Sequence, residues 1–268
     1  MKKVLALILA IVSVFSILAF AGCGKSDQTD LEYIKEKGTL VIGYTEFAPM
    51  NYEDENGEFI GFETEFAKAV CEELGLKAEF QLIDWSAKET ELKSKTIDCI
   101  WNGMTITPER QAEMDISTPY MANKQVLIVK AENADKYLKA EDLEGAEIVA
   151  EIESAGEGVA MEDEFFAKAN YTGVKDQATA LMEVSSGNAD GCVVDYVLSI
   201  GMIGEGTDYE GLVVVDELAF ADEEYGIAFR KDTDTCDAVN DAISKLAESG
   251  KLAEIARKYK LEEQIIAK

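Results

Sequence analysis

Arg110 is the side chain in this 268-residue chain best suited to seize an anion, because its planar guanidinium can grip a carboxylate at two points. It ends the run Asn102-Gly103-Met104-Thr105-Ile106-Thr107-Pro108-Glu109-Arg110, which also holds a hydroxyl and a backbone N–H at Thr105. Gly103 lets its carbonyl approach an ammonium with no side chain in between. Asp195 ends the strand-like run Gly191-Cys192-Val193-Val194-Asp195, and crevices of open α/β sheets lie at such strand ends. Its carboxylate can hold an ammonium from the opposite side. A molecule carrying both charges on one carbon leaves water only if both are paired. Phe47 and Trp85 offer apolar faces that strip water and strengthen nearby ionic contacts. Glu46 and Glu151, if both face a cleft, suit a ligand side chain that is cationic or donates hydrogen bonds, and Ser154 adds a hydroxyl. Each residue also has a plainer reading. Arg110 could pair with Glu109 or Glu113, Phe47 and Trp85 could be core, and Asp195, Glu46 and Glu151 could be solvated among 53 acids.

Composition narrows the chemistry. There is no histidine, so the commonest general base and metal ligand is missing. No Cys-x-x-Cys or other metal spacing occurs, so no metal and no cofactor are expected. These absences favour binding without catalysis. The net charge of −28 repels phosphate backbones and makes nucleic acid an unsuitable partner. Four cysteines follow Cys23, namely Cys71, Cys99, Cys192 and Cys236. Cys99 and Cys192 lie in apolar runs and read as small buried hydrophobes.

The N-terminus points outward. Lys2 and Lys3 precede an apolar run from Val4 to Phe20, followed by Ala21-Gly22-Cys23, the pattern of a secretory signal. An uncleaved membrane-spanning segment is the alternative, since the run approaches the ~20 residues that span a bilayer. The ending resembles a bacterial lipobox, with Phe20 where such boxes usually carry Leu. That resemblance implies cleavage after residue 22 and a diacylglyceryl anchor on Cys23. Losing residues 1–22 removes two lysines and no acid, taking the charge from −28 to −30. Residues 24–30 then read as a flexible tether.

Alternating strand-like and helix-like segments position the candidate residues. Leu40–Gly43, Ala78–Ile83 and Ile97–Trp101 read as strands. Phe62, Phe66, Ala69, Val70 and Leu74 place one helical face on a core, with Gly75 after the last turn. A second set holds strands at Ile148–Ala150, Gly191–Asp195 and Leu212–Val215, and helices over Gly158–Ala169 and Gln177–Ser185. Two C-terminal helices between Asp237 and Lys260 break at Gly250. This succession argues for an α/β protein of two lobes built on parallel sheets with crossover helices. Gln125–Lys130 and Leu218–Tyr225 are the expected crossings. Lobe 1 is then residues 31–126 and 221–268, and lobe 2 is residues 127–220.

Taken together, Gly38–Gly43, Phe47-Ala48-Pro49-Met50, Gly61–Ala67, Asn102–Arg110, Ser117-Thr118-Pro119-Tyr120 and Tyr225-Gly226-Ile227-Ala228 resemble the polar amino-acid family of type II periplasmic binding proteins. The ordered set runs from about residue 37 to about 260. The resemblance implies a ligand cleft between the lobes, closure about a hinge, and delivery of a free amino acid to an ABC permease. It assigns Arg110 and Thr105 to the α-carboxylate, Gly103 and Asp195 to the α-ammonium, and Phe47 and Trp85 to aromatic walls. It also implies a monomer on the outer face of the cell membrane. Three departures stand out. Tyr44 replaces an acid of some relatives, Glu151 replaces a Gln or Lys, and Glu153 replaces a glycine in the loop Glu151-Ile152-Glu153-Ser154-Ala155-Gly156. Backbone N–H groups of Ser154 and Ala155 remain available there, and the amino acid stays open between polar and basic. Two other functions fit the same architecture. One is a dehydratase or lyase using Glu151 or Glu46, which the amino-acid clamp argues against. The other is a sensor domain, which the end of the chain at Lys268 disfavours.

Overall fold

The computed structural model describes residues 28–215 and 218–268; the signal-like segment and Cys23 lie outside them. Helix α1 (Asp30–Lys37) leads into β1 (Thr39–Tyr44), the hairpin β2 (Tyr52–Glu53) and β3 (Phe59–Ile60), α2 (Phe62–Leu74) and β4 (Lys77–Leu82). Then come α3 (Lys88–Lys93), β5 (Cys99–Ile100), α4 (Pro108–Glu113), β6 (Met114–Ile116) and the long β7 (Met121–Lys130). The second set is β8 (Glu147–Glu151), α5 (Ala155–Glu162), β9 (Asn170–Val174), α6 (Gln177–Ser186), β10 (Gly191–Asp195), α7 (Tyr196–Met202) and β11 (Leu212–Val214). The chain returns along β12 (Phe220–Tyr225) to β13 (Ala228–Arg230), α8 (Thr235–Glu248) and α9 (Lys251–Lys258).

Among the described residues, besides the two-stranded β2-β3 sheet, two larger sheets result, ordered β4-β1-β5-β13-β6 and β11-β7-β10-β8-β9, with β12 also paired to β7. They are mixed and not purely parallel. β1 runs parallel to β4 and β5, and β8 parallel to β9 and β10. The segments that leave and re-enter the first lobe supply the antiparallel members: β13 beside β5 and β6, and β7 beside β10, β11 and β12. Of the two segments expected from sequence to cross, Gln125–Lys130 lies within the paired strand β7 and Leu218–Tyr225 includes β12. Their register shifts between Phe220 and Asp222, where Ala221 has φ +41°.

Local chemistry accounts for the elements that carry the cleft. Helix α2 buries Phe62, Phe66 and Val70 completely, and each contributes roughly 1.5–3 kcal/mol by leaving water. Its first N–H groups, at Phe62, Glu63 and Thr64, donate to the carbonyls of Pro49 and Met50. In lobe 2, the helix expected over 158–169 instead begins at Ala155, because Ser154 caps it by accepting from the Glu157 N–H, and it stops at Glu162. Thr29 already forms a capping box with Glu32 at the start of α1, within the stretch expected to be tether. The four described cysteines are buried and unpaired.

Gly61 holds φ at +131°, and a Cβ there would stand 2.1 Å from the Met50 carbonyl oxygen. Gly61→Ala is expected to destabilise the protein by about 2–4 kcal/mol, read as a lower urea midpoint in equilibrium unfolding.

Candidate functional site

A narrow cavity lies between the lobes and brings together the nine residues put forward from sequence: Glu46, Phe47, Trp85, Gly103, Thr105, Arg110, Glu151, Ser154 and Asp195. Phe47, Trp85, Gly103, Thr105 and Arg110 line it from lobe 1, and Glu151, Ser154 and Asp195 from lobe 2, with Thr45, Glu46, Asn102, Ala155 and Gln177 completing the wall. The loops after β1, β4, β5, β8 and β10 supply most of these residues, so the cavity sits beyond the carboxyl ends of both sheets.

The first lobe holds its half rigidly. Arg110 lies in the first turn of α4, where the Thr107 hydroxyl caps its N–H and Pro108 occupies the first turn. Its guanidinium donates to the Thr105 carbonyl at 2.8 Å and to the Glu153 carbonyl of the other lobe at 3.3 Å. Gly103 has φ +58°, and a Cβ would come within 2.7 Å of the Phe47 ring. Its N–H donates at 2.9 Å to Glu63, a fully buried carboxyl that also receives the Tyr120 hydroxyl and the Asn51 amide. Asn51 reaches Asn102 in turn, and Asn102 exchanges hydrogen bonds with Thr45. Strand β12 steadies the same turn, since the Gly226 N–H donates to Met104 O and the Ile106 N–H to Glu224 O.

The second lobe presents acid. Asp195 is buried, and its carboxylate accepts from the amides of Asn123 (2.5 Å), Gln125 (2.8 Å) and Gln177. Glu151 is 5% exposed; Gln177 hydrogen-bonds its carboxyl, while its Oε1 has no hydrogen-bond partner among the described residues. Glu46 lines the cavity but is solvent-exposed, so of the two glutamates only Glu151 is buried in the wall. The Ser154 N–H is spent on the Glu151 carbonyl, so the loop offers its hydroxyl and the N–H of Ala155, the first residue of α5. Tyr44 does not line the cavity; it packs on Phe59 and Phe80.

Glu223 was not singled out from sequence. It lies on β12, its carboxylate accepts from Thr105, Asn123 and Gln125, and its charge acts on Arg110 together with that of Asp195. Nothing distinguishes it within Asp222-Glu223-Glu224. Asn123 and Gln125 did leave a signal: two amides at alternate positions of a strand that is otherwise largely apolar point to one face. Burial governs the titration of the acids. It pushes Glu151 up to about 8, with the charges of Asp195 and Asp176 adding to the effect. It pushes Glu63 and Glu223 up to about 7, and raises Asp195 despite its amide donors. Among the described residues no cluster of three or more His, Cys, Asp or Glu could hold a metal ion, and no helix is long and apolar enough to cross a membrane.

Residues 40–262 match the model of the bacterial extracellular solute-binding proteins, family 3. The chain belongs to this family. This family-3 protein is 31% identical over 257 residues to the L-cystine-binding protein TcyJ of Escherichia coli (strain K12), covering 93% of this chain and 91% of that one. It is 31% identical over 265 residues to the arginine-binding extracellular protein ArtP of Bacillus subtilis (strain 168), covering 97% and 98%. Its structure superposes on that of the amino acid ABC transporter substrate-binding protein AbpA of Streptococcus pneumoniae, bound to L-arginine, with a TM-score of 0.76 and 27% identity over 86% of this chain and 98% of that one. The family-3 protein therefore has the two-lobed type II binding-protein fold. These relatives are binding proteins, not enzymes.

The raised acids set the direction of pH dependence. A carboxyl with a folded-state pKa of about 8 against ~4.3 unfolded binds more protons when folded, so stability falls as pH rises through that window. Ligand-free protein should lose stability between about pH 4.5 and 8. Glu151→Gln should flatten that slope and gain roughly 2 kcal/mol or more over the parent at pH 8, measured by urea unfolding at a series of pH values.

Proposed function

We propose that this family-3 protein captures a free amino acid with a cationic side chain and delivers it to an ABC permease. The carrying observation is the buried, unpartnered Glu151 Oε1 in the wall of a cavity that also holds Arg110 and Asp195. Arg110 and Thr105 take the α-carboxylate, while Asp195 and the Gly103 carbonyl take the α-ammonium. Phe47 and Trp85 cover the aliphatic stem, and Glu151 meets the distal charge. The charge balance favours this ligand class. Among the described residues, Arg110 is the one cation lining the cavity, against the acids Asp195, Glu151 and Glu46 in its wall and Glu223 behind. Lys88 is already committed to Glu153. A zwitterion leaves that excess untouched, whereas a side-chain guanidinium or ammonium offsets one unit of it. The arginine-binding names of ArtP and of the AbpA complex support the same reading.

Ligand contacts to both lobes draw the cleft shut, and the shut form is what a permease recognises. The protein acts as a monomer outside the cytoplasm, held to the membrane by lipid on Cys23. The lipobox-like Phe20-Ala21-Gly22-Cys23 supports that anchor. Cys23→Ser should move the protein from the membrane fraction to the medium.

A thermal-shift panel of L-arginine, L-lysine, L-ornithine, L-glutamine and L-cystine tests the ligand class, since a ligand bound by the native state alone raises the melting point. The basic amino acids should give the largest shifts. Arg110→Ala should erase the shift for every ligand, and Trp85→Ala should reduce it selectively. Glu151→Gln should weaken L-arginine about tenfold or more while sparing L-glutamine. Because Glu151 must ionise to meet a cation, L-arginine affinity should rise from pH 6 to pH 8 in the parent and stay flat in Glu151→Gln. A panel led by L-glutamine or L-cystine overturns the cationic assignment.

A further inference from the structure

Three donors of lobe 1 converge on one residue of lobe 2. The Glu153 carbonyl accepts from the Trp85 indole Nε1 at 3.3 Å and from the Arg110 guanidinium at 3.3 Å, while its carboxylate meets Lys88 Nζ at 3.1 Å. Lys88 is only 3% exposed, and its ammonium lies 5.0 Å from the centroid of the Trp85 ring. Among the described residues, its one anionic partner within salt-bridge distance belongs to the other lobe. An ammonium buried with no counter-charge is costly, so the burial of Lys88 is tied to the lobes being together.

The backbone at Glu153 makes the convergence possible. With φ +60° the residue occupies the left-handed region, where a β-carbon is crowded and glycine is favoured. The turn is held by its own bonds: the Glu153 N–H donates to the Glu157 carboxylate at 2.6 Å, and the Ser154 N–H donates to Glu151 O. One residue thereby offers both its carbonyl and its side chain to the opposite lobe. A glycine here would adopt the same turn with less strain and keep the carbonyl contacts. What glutamate adds is the carboxylate on Lys88.

We propose that Glu153 is a positioning residue that latches the cleft, joining Trp85, Lys88 and Arg110 across the lobes so that it aims Arg110 and sets how long a ligand stays. The guanidinium is held by Thr105 on its own lobe and by Glu153 on the other, so the carboxylate clamp reaches its final geometry only when the lobes meet. The latch requires a cleft that opens and closes. It does not depend on which amino acid is bound.

The test pairs Glu153→Gly with Lys88→Met in the full chain. Small-angle scattering of ligand-free protein reads closure without reference to any ligand, and stopped-flow tryptophan fluorescence reads the kinetics with L-arginine as probe. Trp85 is one of two tryptophans, and Trp101 is buried in the core, so the signal reports the cleft. Glu153→Gly should give a larger radius of gyration than the parent and release L-arginine about three- to tenfold faster, with association changed less than about twofold. Its ligand-free melting point should equal or exceed the parent's, because the turn is relieved; this separates a lost latch from a damaged fold. Lys88→Met should match it, and the double variant should release no faster than either single one. Salt should accelerate release in the parent only. Parent-like scattering and release in Glu153→Gly, or additive effects in the double variant, overturns the latch. If L-arginine fails to bind the parent, the cationic-ligand reading falls and the scattering comparison still decides the latch.

Discussion

Arg110 keeps its charge largely out of water at the seam of two lobes, and much of the surrounding structure serves to make that tolerable. A guanidinium in such a place needs acceptors and counter-charge. Acceptors come from the Thr105 and Glu153 carbonyls, one from each lobe, and negative potential comes from Glu223 and Asp195. Those acids pose the same difficulty with opposite sign. Asp195 and Glu223 share the amides of Asn123 and Gln125, which lie two residues apart on β7 and so present one face. Gln177, at the start of α6, closes the set on Asp195 and accepts its backbone N–H. Arg110 and Asp195 thus belong to one hydrogen-bonded assembly that includes β7 and β12.

The acid excess in the cleft mirrors that of the whole chain but differs in kind. Surface carboxylates are screened and cost little. Glu151 is buried beside other acids and takes up a proton near neutrality. A ligand with a distal cation exchanges that proton for an ion pair. A neutral ligand meets a carboxyl that can donate a hydrogen bond. Under the proposed function the wall would discriminate through a charge state and not only through shape.

Much of this was legible in the sequence. The apolar period from Phe62 to Leu74 gave α2 its full length, and Gly103, Thr105 and Arg110 share one short segment, so their proximity needed little tertiary information. Lobe-2 residues were harder. Helix α5 begins three residues before the expected Gly158, because capping by Ser154 decides its start. The parallel-sheet expectation missed the antiparallel strands, since periodicity marks a strand without giving its direction. Glu223 was hidden for a different reason. An acid inside an acidic run looks solvated, and only the pairing of β12 with β7 turns it inward. Glu151 and Glu46 looked alike in sequence and part company only in burial.

One topological fact carries a mechanical consequence. Lobe 2 is threaded into lobe 1 and joined to it through β7 and β12, while α1, α8 and α9 all belong with lobe 1: Asp30 pairs with Arg230, and the Leu31 N–H meets Asp234. Anything that pulls on the chain ahead of α1 therefore loads the first lobe alone. Under the proposed closure, the second lobe would swing on its two strands with no rope attached, so the work of opening would be the same whether the front of the molecule is held fast or free.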